Sequence, residues 1–138
     1  MEFVTFNTLS DDLVNNMSKV PQDYDIIVGV PRSGLLVANM LALYMNKPLT
    51  DLDSFCNKQI LGSGVSKQKK GWVSSFDEIK KALIVEDSIN SGYSIEQAKR
   101  QIEACGFAME IHYLAAYIIE GKEILRHGCC NCICVSNG

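Results

Sequence analysis

Two adjacent carboxylates, Glu86 and Asp87, end a short apolar run and are followed by small polar residues. The run Lys81–Val85 is typical of a buried strand, and residues 88–94 read Ser-Ile-Asn-Ser-Gly-Tyr-Ser. A turn that leads from a strand into a helix presents backbone N–H groups and a positive dipole end to an anion. Carboxylates beside such a phosphate site are suited to sugar hydroxyls or to a hydrated divalent cation. The segment therefore predicts a site for a phosphorylated sugar, and the alternative is an ordinary turn with solvated acids.

A second polar turn follows another strand-like run. Tyr24–Val30 is apolar, and Pro31-Arg32-Ser33-Gly34 separates it from the helix-periodic stretch Leu35–Met45. The guanidinium fork of Arg32 suits polyanionic oxygens, while Gly34 permits close approach of the backbone. A plain tight turn with a surface arginine is the alternative. We expect the two turns to lie at one edge of one sheet.

The rest of the chain alternates helices and strands. Strands separated by helix-length segments predict a doubly wound α/β domain, in which a parallel sheet carries helices on both faces. At 138 residues the chain fits a single domain, 1–138. The further predicted elements are a first helix from Ser10 that ends before Pro21, a strand at Pro48–Leu52, a helix through Ile95, Ala98, Ile102 and Cys105 that Gly106 closes, and strands at Glu110–Ile119 and Ile133–Val135.

The composition narrows the function classes. Apolar residues make up 47% and charged residues 21%, as is usual for a soluble globular protein. The net charge of −3 argues against general nucleic-acid binding, which requires a basic face. The sequence has neither an apolar run long enough to span a membrane nor a signal-like N-terminus. We therefore predict a cytoplasmic protein with no nucleic-acid or membrane partner.

Both polar turns resemble motifs of one family. Lys81–Ser94 resembles the signature of the type I phosphoribosyltransferases, and Gly29–Leu35 resembles the pyrophosphate loop of that family. The resemblance implies that Glu86 and Asp87 hold the ribose diol of phosphoribosyl pyrophosphate and, directly or through water, Mg²⁺. It also implies a cis peptide at Pro31–Arg32 or Arg32–Ser33. The residues implied to bind the 5-phosphate are Ser88, Ile89, Asn90, Ser91, Gly92 and Ser94, and those implied to bind pyrophosphate are Arg32, Ser33 and Gly34.

A long basic segment lies between the two turns. Residues 57–75 include four lysines and three glycines but no acid. Loops of this length are often lids or disordered inserts. The position resembles the flexible catalytic loop of the family, which would bring Lys67, Lys69 or Lys70 near the leaving pyrophosphate. The alternative for each lysine is a solvated basic loop.

The resemblance implies a phosphoribosyltransferase that uses Mg²⁺ and phosphoribosyl pyrophosphate to ribosylate a nitrogen nucleophile. Asn90 stands where purine-salvage members place an aspartate, and the strand Tyr113–Ile119 contains no lysine, so salvage of hypoxanthine or guanine is disfavoured. Residues 21–53 look most like the orotate-phosphoribosyltransferase-like proteins of bacterial surface-polysaccharide gene clusters. We expect a homodimer and a small or absent hood, the subdomain that selects the acceptor. A non-catalytic module that binds phosphoribosyl pyrophosphate or a nucleotide is the alternative function, and an N-terminal part of a longer chain is the alternative to a single complete domain.

Four of the six cysteines cluster at Cys129–Cys134 without the paired C-x-x-C spacing of common zinc sites. We interpret them as reduced, buried side chains. A redox function or a metal site, which His127 could complete, is the alternative. His112 lies within an apolar strand, where a hydrogen-bonded core histidine is expected.

Overall fold

Within the part of the chain that the structure describes, five parallel strands form one sheet in the order β2-β1-β3-β4-β5. The computed structural model describes residues 5–61, 75–89, 93–118 and 132–137. The strands are β1 (Ile26–Gly29), β2 (Leu49–Asp51), β3 (Lys81–Ile89), β4 (Glu110–Ile118) and β5 (Cys132–Asn137). The helices are α1 (Phe6–Asn15), α2 (Ser33–Met45), α3 (Leu52–Cys56) and α4 (Tyr93–Cys105), with short 3-10 turns at Met17–Lys19 and Phe76–Glu78.

Helices cover both faces of the sheet, as predicted. Successive residues of a strand point to opposite faces, and the core divides accordingly. On one face, Ile27 and Leu83 pack with Leu41 of α2 and with α1. On the other, Ile26 and Ile84 join a cluster that includes residues of α3 and α4. The doubly wound α/β architecture is therefore confirmed.

One predicted helix start was wrong, and one helix was missed. The first helix begins at Phe6 and not at Ser10, because the Thr5 hydroxyl accepts a hydrogen bond from the Thr8 amide at 3.1 Å and caps it one turn earlier. Helix α3 was not predicted at all. The Asp51 carboxylate caps it by accepting from the Ser54 amide at 2.7 Å.

Strand β3 is longer than its apolar run. The strand continues through Glu86 and Asp87 to Ile89, so the two acids lie inside it and not after it. The reason is β4, which extends far enough to pair Glu86 with Ala115 and Ile89 with Ile118. Strand β1 ends opposite Val85, so β3 projects beyond β1 at this edge.

Polar contacts fix the amino edge of the sheet. The Asp25 carboxylate accepts hydrogen bonds from the Lys80 and Lys81 amides at 2.8 and 3.0 Å. The Tyr24 hydroxyl and the His112 Nδ1 atom are 2.8 Å apart. The half-buried imidazole is therefore hydrogen-bonded, as expected. Among the described residues, no helix is both long and apolar enough to cross a bilayer.

Candidate functional site

The carboxyl ends of β1 and β3 border a crevice. After β1 the chain crosses through α2 to β2, on one side, whereas after β3 it crosses through α4 to β4, on the other. Strand order reverses at this pair, and in open α/β sheets ligands bind at such a switch point. Gly29 and Val85 are register partners at its base. The Pro31–Gly34 turn and the Glu86–Asp87 pair of β3 flank this position.

The first turn is in direct contact with β3. The Val30 amide donates to the Val85 carbonyl at 2.9 Å, which continues the pairing past the end of β1. A Cβ atom on Gly34 would lie 2.8 Å from that carbonyl oxygen and 3.0 Å from the Glu86 Oε1 atom. Only glycine fits such an approach without a shift. The close approach of the Gly34 backbone to a polyanion stays a prediction, and the structure shows that Gly34 also packs closely on β3.

The first turn carries exposed hydrogen-bond donors. The peptide bond between Pro31 and Arg32 is cis, at one of the two positions that the resemblance implied. The Arg32 and Ser33 side chains are exposed, and the Arg32 side chain makes no capping hydrogen bond with the first turn of α2. The first amides of a helix have no partner within that helix. The N-terminus of α2 therefore offers backbone donors, and Arg32 stands beside them.

Glu86 is a buried carboxyl group of the site, and its pKa is strongly raised. Its side chain is 6% exposed, and its Oε1 atom accepts from the Asp87 amide at 2.9 Å. Burial, and then the neighbouring Asp87 carboxyl, raise the pKa of Glu86 to about 8. Asp87 is half-buried. The crevice thus has an acidic wall on β3 opposite the Arg32 turn.

The remaining predicted residues divide into two groups. Ser88 and Ile89 lie in β3, and Ser94 is exposed in the first turn of α4. The N-terminus of α4 therefore lies at the same edge as that of α2. Outside the described residues are Asn90, Ser91, Gly92, Lys67, Lys69 and Lys70, and so are His127, Cys129 and Cys130.

Gly29 is a residue that sequence reasoning missed. A Cβ atom there would lie 2.6 Å from the Leu35 Cα atom and 2.9 Å from the Ala38 Cβ atom. The missing side chain lets α2 pack closely on β1, which sets the position of the Arg32 turn. A glycine inside a buried strand run was the signal.

Comparison with known proteins agrees with this geometry. The sequence model of the phosphoribosyl transferase domain matches residues 6–136. The chain is 30% identical over 94 residues to "Putative ribose-phosphate pyrophosphokinase 2" of Streptococcus agalactiae, a match that covers 67% of the chain and 26% of that protein. It is 23% identical over 100 residues to "Transcriptional regulator GfcR" of Methanococcoides burtonii, which covers 71% of the chain and 47% of the regulator.

The fold is shared with solved structures. Orotate phosphoribosyltransferase from Aeropyrum pernix superposes with a TM-score of 0.60 at 20% identity, over 96% of the chain and 71% of that protein. The chain spans about a quarter to a half of the length of the curated relatives that it matches. The family model covers nearly the whole chain, with the site described above inside it. The chain therefore belongs to the phosphoribosyl transferase domain family.

Proposed function

We propose that this chain is a phosphoribosyltransferase that transfers the phosphoribosyl group of phosphoribosyl pyrophosphate to a nitrogen nucleophile and releases pyrophosphate. One observation supports this most strongly. An arginine-bearing turn and an acid pair meet at the β1–β3 switch point, where Gly34 packs against Val85 and Glu86. Such a crevice offers donors for a diphosphate and acceptors for sugar hydroxyls within reach of one ligand.

Each part of the ligand has a proposed partner. Arg32 and the backbone of Ser33 and Gly34 would bind the pyrophosphate, which is the leaving group. Glu86 and Asp87 would accept hydrogen bonds from the ribose hydroxyls. From the sequence resemblance, we propose that residues 88–92 and Ser94 bind the 5-phosphate and that Lys69 and Lys70 stabilise the leaving group.

The acid pair fits a magnesium ion. Mg²⁺ prefers oxygen ligands and is usually held by one or two carboxylates together with water and substrate phosphates. Glu86 and Asp87 supply such a pair, and within the described residues no set of three or more His, Cys, Asp or Glu side chains could hold a metal without help. A bound Mg²⁺ would neutralise charge on the pyrophosphate. The raised pKa of Glu86 is consistent with a carboxyl whose ionised form needs a nearby cation.

Positioning and electrostatics would carry the reaction. Loss of pyrophosphate from the anomeric carbon leaves positive charge on the sugar and negative charge on the leaving group. Arg32 and the α2 amides lie on the side where the negative charge develops, and the β3 carboxylates lie on the side of the ribose. Groups fixed in place before the reaction stabilise such charges without reorganisation.

Pyrophosphate release tests the proposal. The purified chain is incubated with Mg²⁺, phosphoribosyl pyrophosphate and a panel of nitrogenous bases and amines. Release with one acceptor, lost in Asp87→Asn, is the expected result. Asp77→Asn is the matched control, because Asp77 is an exposed carboxylate on the 3-10 turn before β3, away from the crevice. Equal loss in both variants would contradict the role of Asp87.

A second candidate function rests on one comparison. The regulator from Methanococcoides burtonii shares 23% identity over 100 residues, so this domain also occurs in a protein described as a transcriptional regulator. A chain of this kind would bind phosphoribosyl pyrophosphate or a nucleotide without turnover. Calorimetric binding of phosphoribosyl pyrophosphate with no pyrophosphate release for any acceptor would favour it.

We further propose that the protein acts as a homodimer in the cytoplasm, on small molecules alone. Light scattering coupled to size-exclusion chromatography would test the dimer. A mass equal to that of one 15.3 kDa chain would refute it.

A further inference from the structure

Helices α3 and α4 lie side by side on one face of the sheet. They follow the parallel strands β2 and β3 and pack into the same apolar cluster. Helix α4 leads from the end of β3 back to the start of β4, and Phe55 of α3 contacts Phe76 and Phe107, which precede β3 and β4. Both helices therefore lead from the carboxyl edge of the sheet toward its amino edge. The Gln101 Nε2 atom of α4 donates to the Asp53 Oδ1 atom of α3 at 2.7 Å, which places these residues on the facing sides.

One helical turn further along, each helix ends in a cysteine. Cys56 follows Asp53 by three residues, and Cys105 follows Gln101 by four, the spacings that keep residues on one face. The Cys105 thiol donates to the Gln101 carbonyl at 3.2 Å, beside the residue that bonds Asp53, so the two thiols end neighbouring turns of the facing helices. Both are free thiols and half-buried, so a small oxidant can reach them.

The two thiols are not equivalent. Burial, and then the neighbouring Cys105 thiol, raise the pKa of Cys56 to about 12. Cys56 therefore keeps its proton at neutral pH. Because the thiolate is the reactive form, Cys56 is a poor nucleophile, and the first attack on an oxidant is assigned to Cys105.

We propose that Cys56 and Cys105 are a reversible oxidation site, which a hydroperoxide converts into a disulfide between α3 and α4. The Cys105 thiolate attacks the peroxide oxygen, the O–O bond breaks, and a sulfenic acid and one water form. The Cys56 sulfur then attacks the sulfenic sulfur, loses its proton, and displaces the hydroxyl group as a second water. Two thiols and one hydrogen peroxide thus give one disulfide and two waters, and a dithiol reductant reverses the change.

The disulfide would not reach the proposed substrate site. Both cysteines are at the C-terminal ends of helices that run against the strands, so they lie toward the amino edge of the sheet, whereas the crevice is at the carboxyl edge. The bond would join positions 49 residues apart and restrict the unfolded chain. We expect oxidation to raise the melting temperature by several degrees and to leave phosphoribosyl pyrophosphate binding unchanged.

Mass spectrometry of the full chain tests the proposal. Reduced protein is treated with stoichiometric hydrogen peroxide, alkylated and digested with trypsin. The expected product links the peptide that contains Cys56 to the peptide that contains Cys105, and a reductant removes the link. In Cys56→Ser, dimedone should label Cys105 as a trapped sulfenic acid, whereas Cys105→Ser should give no label at Cys56.

Two results would overturn the inference. One is full alkylation of both cysteines after peroxide treatment, with the melting temperature unchanged. The other is a link from either cysteine to a member of the Cys129–Cys134 cluster in place of the link between α3 and α4. Either outcome stands apart from the pyrophosphate-release assay, because neither cysteine borders the crevice.

Discussion

Replacing Gly34 with alanine tests whether the Arg32 turn must pack closely on strand β3. The added Cβ would lie 2.8 Å from the Val85 carbonyl oxygen, 3.0 Å from the Glu86 Oε1 atom and 3.1 Å from the Glu86 Cα atom. Two of these three atoms belong to the backbone of a paired strand and cannot move freely. Ordinary contact begins near 3.4 Å, so the Arg32 turn must shift by about half an ångström. Overpacking of this kind costs about 1–3 kcal/mol of unfolding free energy.

The displaced turn should also bind its ligand less well. Misplacing a positioning group by a fraction of an ångström to one ångström lowers the reaction rate by about 10- to 100-fold. We expect Gly34→Ala to lower the affinity for Mg²⁺-phosphoribosyl pyrophosphate by at least about 10-fold in isothermal titration calorimetry. Urea unfolding of the same variant gives the stability change.

Gly106→Ala is the matched control. Gly106 closes α4 with φ of +67°, and a Cβ atom there would meet nothing within 4 Å. The left-handed backbone should cost about 1 kcal/mol of stability, but the substrate affinity should not change. If Gly34→Ala keeps both the affinity and the stability of the parent protein, the close contact between the Arg32 turn and β3 has no functional meaning.

Three further predictions concern stability. The folded-state pKa of Glu86 is raised to about 8 from 4.5, so the folded protein binds more protons than the unfolded chain between these values and loses stability as pH rises through them. In urea titrations from pH 5 to 9 without Mg²⁺, Glu86→Gln should flatten this decline, which is at most about 5 kcal/mol. Parallel stability profiles of the two proteins would count against the assignment. Tyr24→Phe removes the hydroxyl that bonds His112 and should cost about 1–2 kcal/mol, whereas loss of a tyrosine hydroxyl from the exposed Ser10–Tyr44 pair should cost less than about 0.5 kcal/mol; equal effects would refute the difference in burial. Gly29→Ala should destabilise by about 2 kcal/mol or more because its Cβ would meet the Leu35 Cα atom at 2.6 Å; thermal unfolding checks this, and an unchanged melting temperature would be inconsistent with the close packing of α2.

The sequence predicted the sheet and its helices because each central element has its own pattern. The apolar runs at Tyr24–Val30 and Lys81–Val85 are buried on both faces, which gives near-continuous apolar residues. The spacing of Ile95, Ala98 and Ile102 predicted α4, and the end of this helix at Gly106 was also predicted. Local signals were therefore sufficient where burial is complete.

The errors occurred where contacts between distant segments decide the structure. Nothing in the local sequence shows that β4 continues past β1 and keeps Glu86–Ile89 in a strand. Helix α3 has only five residues, too few for an apolar period to be visible. Its Asp51 cap was the available signal.

The site was predicted as two turns, and the structure shows how the first of them packs against β3. Residue types at Arg32, Gly34 and the Glu86–Asp87 pair indicated anion and sugar binding. The contact of Gly34 with Val85 and the burial of Glu86 depend on strand order, which a single sequence does not specify. The roles of these residues stay predictions until a ligand is bound.

A crystal structure with Mg²⁺ and phosphoribosyl pyrophosphate tests the central claim most directly. We predict one ligand across the β1–β3 crevice, with pyrophosphate against Arg32 and Gly34 and ribose hydroxyls against Glu86 and Asp87. Ligand density elsewhere, or ligand contacts to only the Arg32 turn or only the Glu86–Asp87 pair, would contradict the claim that the two form a single site.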